Sequence, residues 1–140
     1  MKLYEILRMR AFMFLKEAED DLRKGFYDLA AFHSEQALQL FLKSMLVRLS
    51  GEEVRGHEIR ELLATLAFTL EVEGFGEQSR KIAKLAKEYR RALIELEEAY
   101  YEARYKPATY SKEEASELVE TAKAIIERLK EIEGELWPSP

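Results

Sequence analysis

The chain has no cysteine, which excludes a disulfide framework, a thiolate metal site and a thiol nucleophile together. It has only two histidines, His33 and His57, too few without thiols to assemble a zinc site, so neither a metal nor a cofactor is expected. Proline occurs three times and glycine six times, which leaves few positions where a helix must stop. No apolar run approaches the roughly 20 residues that a membrane-spanning helix needs. The opening residues, Met1 to Arg8, meet charge too early for a secretory signal. No membrane partner is therefore expected, and the cytoplasm is the expected location. Positive charge is also in deficit: 22 Lys and Arg stand against 27 Asp and Glu. The net charge of −5 opposes broad binding to phosphate backbones, so RNA is a disfavoured partner unless a local basic patch overcomes it.

What is present is helix-forming material. A chain of 140 residues with 47% hydrophobic and 35% charged residues is long enough to bury one continuous core. Tyr4, Leu7, Ala11, Phe14, Ala18 and Leu22 recur at three- and four-residue steps and predict a first helix ending near Lys24 and Gly25. A second helix is predicted from Tyr27 to Leu49, closed by Ser50 and Gly51. It is apolar nearly all round and so central. A shorter third helix carries Ile59, Leu62, Leu63, Leu66 and Leu70 on one stripe, and the Glu73-Gly74-Phe75-Gly76 segment breaks it. The longest helix is expected from Glu77 to Ala103, with Ile82, Tyr89, Leu96 and Ala103 at sevenfold spacing and Pro107 as its end. Ser111 with Glu114 reads as a capping box opening the last helix, through Leu118, Ala122, Ile125, Ile126, Leu129 and Ile132. The expected fold is all-α, an up-down bundle of four long helices plus one shorter helix. It forms a single domain over residues 1–136 with a short frayed tail at 137–140.

The most informative stretch lies on the second helix. His33, Gln36, Leu40 and Lys43 fall within roughly an 80° sector, opposite the core positions Leu38, Leu42, Met45, Leu46 and Leu49. An imidazole, an amide and an ammonium could therefore meet at one small site. His33 is either a phosphate or proton-exchange residue or a helix-contact histidine satisfied by a neighbour. Lys43 either faces a ligand or extends its stem over Leu40. His57, between Gly56 and the third helix, is either part of an anion site at free backbone N–H groups, with Arg55 and Arg60 nearby, or a turn-fixing residue. Arg104 and Tyr105 stand where the long helix ends. There Arg104 either complements the helix dipole or grips a phosphate or a partner's carboxylate. Arg80, Lys84, Lys87 and Arg91 form a basic stripe within roughly 60° of the long helix. Lys84 with Glu88 and Arg91 with Glu95 make it read first as a solvated face.

Three stretches of this sequence resemble one family. Phe32, His33, Gln36, Ala37, Leu42, Lys43 and Leu46 fit the pattern F-h-A-Q-Q-A-x-E-K-A-L-K-A-L-L of the HEPN domain, the higher eukaryotes and prokaryotes nucleotide-binding domain. Gly56-His57-Glu58-Ile59 with Leu62-Leu63 is similar to the family's G-H-[DE]-[IL]-x-x-L-L. Arg104-Tyr105-Lys106-Pro107, preceded by Tyr100 or Tyr101, resembles its Y-x-x-x-R-Y-P element with Lys106 inserted. Two of the departures in the first motif matter most: Glu35 replaces the first of the paired glutamines, and Gln39-Leu40 replaces the usual Glu-Lys. The second departure removes a charge beside His33 and Lys43.

The resemblance implies a small nucleotide-binding or regulatory module with His33, Gln36, Lys43, His57, Arg104 and Tyr105 as candidate contacts. It also implies a homodimer and a minimal nucleotidyltransferase as partner. Many relatives are metal-independent ribonucleases or toxins, using an Arg followed by four to six residues and then His. That spacing fails here. The positions that would need Arg are Phe26, Tyr27 or Asp28 for His33, and Ser50, Gly51 or Glu52 for His57. A noncatalytic protein is therefore expected, with a diverged ribonuclease or a purely structural interaction module as alternatives.

Overall fold

The computed structural model describes residues 1–106 and 110–140, Arg104 in its backbone alone. Among the described residues there are six helices and no strand: α1 (Leu3–Lys24), α2 (Tyr27–Ser50), α3 (Ile59–Val72), α4 (Gly76–Glu88), α5 (Arg90–Tyr105) and α6 (Lys112–Leu136). The helix ends fall where local chemistry puts them. Gly25 and Gly51 adopt φ of 78°, a left-handed turn costly to any residue with a Cβ, and their N–H groups close the last turns of α1 and α2. Ser111 Oγ accepts from the N–H of Glu114 at 3.1 Å, and the N–H of Ser111 donates back to Glu114 Oε1 at 2.9 Å, completing the capping box.

The expected bundle forms, with one change: the long helix predicted from Glu77 to Ala103 is divided at Tyr89, whose φ of −102° and ψ of 17° leave the helical basin. The hydrogen-bond ladder survives the bend, Tyr89 N–H to Leu85 O at 3.0 Å and Leu93 N–H to Tyr89 O at 2.9 Å. The bend re-aims the apolar stripe. α4 lays Ile82 and Leu85 chiefly against α3, while α5 turns Leu93, Leu96 and Ala99 chiefly onto α2. Pro107, expected to end α5, lies outside the described residues, and Lys106 caps the helix in an extended conformation.

α2 is the central helix. Leu38, Phe41, Leu42 and Met45 are fully buried among α1, α3, α5 and α6, and Phe12 of α1 meets Phe41 edge-on at 5.8 Å. The end of the bundle is tied by Arg48, whose guanidinium lies 4.6 Å from the Tyr4 ring and 4.4 Å from that of Trp137. Trp137 therefore packs on the bundle rather than fraying.

Candidate functional site

The central helix carries a carboxylate on its buried side. Glu35 is 0% exposed, and its two oxygens accept from Gln36 Nε2 at 2.7 Å and Gln39 Nε2 at 2.9 Å. Burial pushes its carboxyl up to about 7, against the pull of both amides and Lys43; Glu97 adds to the rise. The group thus changes protonation near neutrality.

Beside Glu35 opens a cleft of about 260 Å³ between α2, α5 and the start of α3. His57 forms part of its wall: Nε2 shares a hydrogen bond with the Tyr101 hydroxyl at 2.7 Å, and the imidazole stacks on Tyr100 at 4.7 Å with 18° between the planes. Tyr101 meets both rings edge-on, at 5.8 Å from His57 and 5.1 Å from Tyr100. Arg60 closes the other side by donating through Nε to Glu97 Oε2 at 2.6 Å. Glu35, Glu58, Glu97 and Glu98 all line the cleft, against the single guanidinium of Arg60. A space of this make-up offers hydrogen-bond acceptors and π faces, while its carboxylates oppose a phosphate. The start of α3 is equally committed: Glu58 is its N-cap and Glu61 stands in its first turn, so carboxylates already complement the helix dipole there.

The residues singled out in the sequence separate into groups. His57 lines the cleft, and Gln36 and Lys43 act on Glu35 from the same helix. His33 does not join them. It turns to α1, where Nδ1 lies 2.6 Å from Oδ2 of the buried Asp21, and its ring sits between Phe14 and Phe32 at 5.6 and 5.7 Å. His33 thus makes a contact between helices. Tyr105 is 74% exposed and lines none of the cleft, and the Arg104 side chain lies outside the described residues. Arg80, Lys84, Lys87 and Arg91 are exposed. Glu88, expected to pair with Lys84, instead accepts from Arg128 Nη1 of α6 at 2.6 Å.

Sequence reasoning missed Glu35 as a site residue, though a signal existed. Glu35 shares the core sector with Leu38, Leu42 and Leu46, and a carboxylate on an apolar face needs a reason. It also missed Asp21, whose partner lies across a helix pair. Among the described residues no cluster of three or more acidic or imidazole groups is arranged to hold a metal, and no helix is long and apolar enough to cross a membrane.

A central helix packed by four others, with a lateral cleft beside Glu35, is an all-α bundle in architecture. The HEPN domain family model matches residues 4–132, and the chain belongs to that family. TT1696 from Thermus thermophilus is similar over 94% of this chain and 99% of its own, with 27% identity and a TM-score of 0.67. ST0689, an archaeal HEPN homologue, covers the same shares at 23% identity and a TM-score of 0.62, a likeness of fold. No curated protein matches the chain.

Proposed function

We propose that this HEPN domain is a noncatalytic, cytoplasmic nucleotide-binding module, a homodimer that regulates a minimal nucleotidyltransferase and takes the base end of a nucleotide into the cleft over Glu35. The observation that carries this reading is the buried Glu35 carboxyl beside the His57–Tyr100 pair. A heterocyclic base offers N–H donors to carboxylates, which Glu58, Glu97 and Glu98 add to the cleft lining, and a flat face to its aromatic wall. Size argues the same way: about 260 Å³ lies at or below the lower end of the roughly 300–1,000 Å³ usual for small-molecule sites, so the base fits and a triphosphate does not. The surrounding carboxylates direct phosphates outward, toward solvent or a partner chain. The ribonuclease or toxin alternative gains no support from the geometry, since Arg60 is engaged by Glu97 and His57 by Tyr101.

The test is a calorimetric titration of the intact chain with guanosine, adenosine, GMP, ATP and a short RNA, repeated for Glu35→Gln and His57→Ala. At least one nucleoside is expected to bind saturably, its nucleotides no more than modestly tighter, with affinity falling at least about tenfold in Glu35→Gln. Absence of binding by every ligand, or unchanged affinity in both variants, removes the nucleotide reading. Cleavage of the RNA without metal would replace it with the ribonuclease.

A further inference from the structure

The central helix has one side that the bundle leaves open. A helix apolar nearly all round belongs inside a protein, yet α2 presents Leu29, 44% exposed, with His33, Gln36 and Leu40 half-buried. Alongside it α1 presents Met9 and Met13, 45% and 61% exposed. The groove between them is lined by Arg10, Met13, Phe14, Glu17 and His33. His33 Nδ1 is taken by Asp21, and among the described residues Nε2 has no protein partner although no buried side-chain nitrogen or oxygen is left unsatisfied. Nε2 therefore reaches the open groove.

The two charges at this groove decide what covers it. Among the described residues neither Arg10 nor Glu17 forms an ion pair, so both charges stand open at the groove. Arg10 and Glu17 lie on one side of α1, about 10 Å apart along the axis, with Met13 between them. One positive and one negative end flanking an exposed apolar centre make a surface complementary to itself under a two-fold axis.

We propose that the α1–α2 face is the contact between two copies of this chain, with the two α1 helices antiparallel, so that Arg10 of each copy meets Glu17 of the other and the Met13 side chains fill the paired grooves beside Phe14 and His33. This rests on the homodimer reading above and names its surface. Because the contact is isologous, each side-chain change acts twice. A small-ligand occupant is disfavoured by the opposed charges at one groove, which neither an anion nor a cation satisfies alone.

Sedimentation equilibrium of the full chain tests this, with far-UV circular dichroism confirming that each variant is folded. The wild type is expected to be dimeric. Arg10→Glu and Glu17→Arg, each creating two like-charge contacts, weaken the dimer at least about tenfold. The Arg10→Glu/Glu17→Arg swap restores it to within about threefold of the wild type. Met13→Asp, placing two carboxylates at the apolar centre, gives monomers. A wild-type dimer indifferent to Arg10→Glu, Glu17→Arg and Met13→Asp overturns this surface while leaving the homodimer standing. A wild-type monomer at all concentrations overturns both. Single variants that weaken the dimer without rescue by the swap overturn the antiparallel register.

Discussion

The two histidines occupy opposite settings. His33 is held by a buried carboxylate of the neighbouring helix, between two phenylalanine rings. His57 is held by a hydroxyl and stacked on a tyrosine, at the mouth of a cleft lined by Glu35 and other carboxyls. An imidazole tied to a carboxylate fixes its Nδ1–H donor and joins two helices. An imidazole tied to a phenol keeps its ring orientation, beside a carboxyl that burial pushes up to about 7. The first setting builds α1 onto α2 and shapes an outer face. The second leaves a proton-responsive space between α2, α3 and α5. One central helix serves both because Glu35, two residues beyond His33, points about 200° away around the axis.

The largest expected contrast is in pH dependence. Glu35 titrates at about 7 in the folded chain and near 4.5 when unfolded. Between these values the folded state holds the extra proton, so the contribution of Glu35 to stability is fully present below about 4.5, falls as pH rises and is lost above about 7. The whole fall is about 3 kcal/mol. Glu35→Gln cannot titrate. Urea unfolding at pH 5 and pH 8 is therefore expected to show the wild type losing roughly this amount relative to the variant. Parallel pH profiles for the two proteins would show that Glu35 is solvated.

On the other side of α2, Asp21→Ala leaves His33 Nδ1 without its partner in a half-buried site and is expected to cost about 1–3 kcal/mol. The same urea unfolding measures it. The loss should add to that of Glu35→Gln, since the pair and the cleft share no lining residue. Strong non-additivity would mean that the two regions are one network.

Much of this arrangement could be read before folding, and the gaps are instructive. Gly25, Gly51 and the Ser111–Glu114 box mark helix ends because each acts within a few residues, through φ or a local hydrogen bond. The bend at Tyr89 leaves no such mark: no glycine or proline stands there, and the sevenfold spacing continues through it. It exists because Leu85 and Leu93 serve different neighbours. His57 was legible from its place before a helix. The His33–Asp21 pair was not, because two positions twelve apart in sequence meet only when α1 and α2 pack. Glu35 fell between the two cases, visible as an acid on an apolar sector yet read as a departure from a glutamine pattern.

The smallest change separates a wall that holds its shape from one that reads its ligand. Tyr101 is half-exposed, and Tyr101→Phe deletes only the hydroxyl bound to His57 Nε2. Water can replace that partner, so the stability cost is expected at about 0.5–1 kcal/mol or less, read as a small shift in the urea midpoint. The stack of His57 on Tyr100 does not depend on the hydroxyl and should persist. If the cleft binds through Glu35 and the aromatic faces, nucleoside affinity in Tyr101→Phe stays within about threefold of the wild type while Glu35→Gln loses far more. Should Tyr101→Phe instead abolish binding with stability unchanged, the hydroxyl and the imidazole it orients would be the recognising pair. His57 would then stand as the ligand contact, and Glu35 as the buried group that supports the wall.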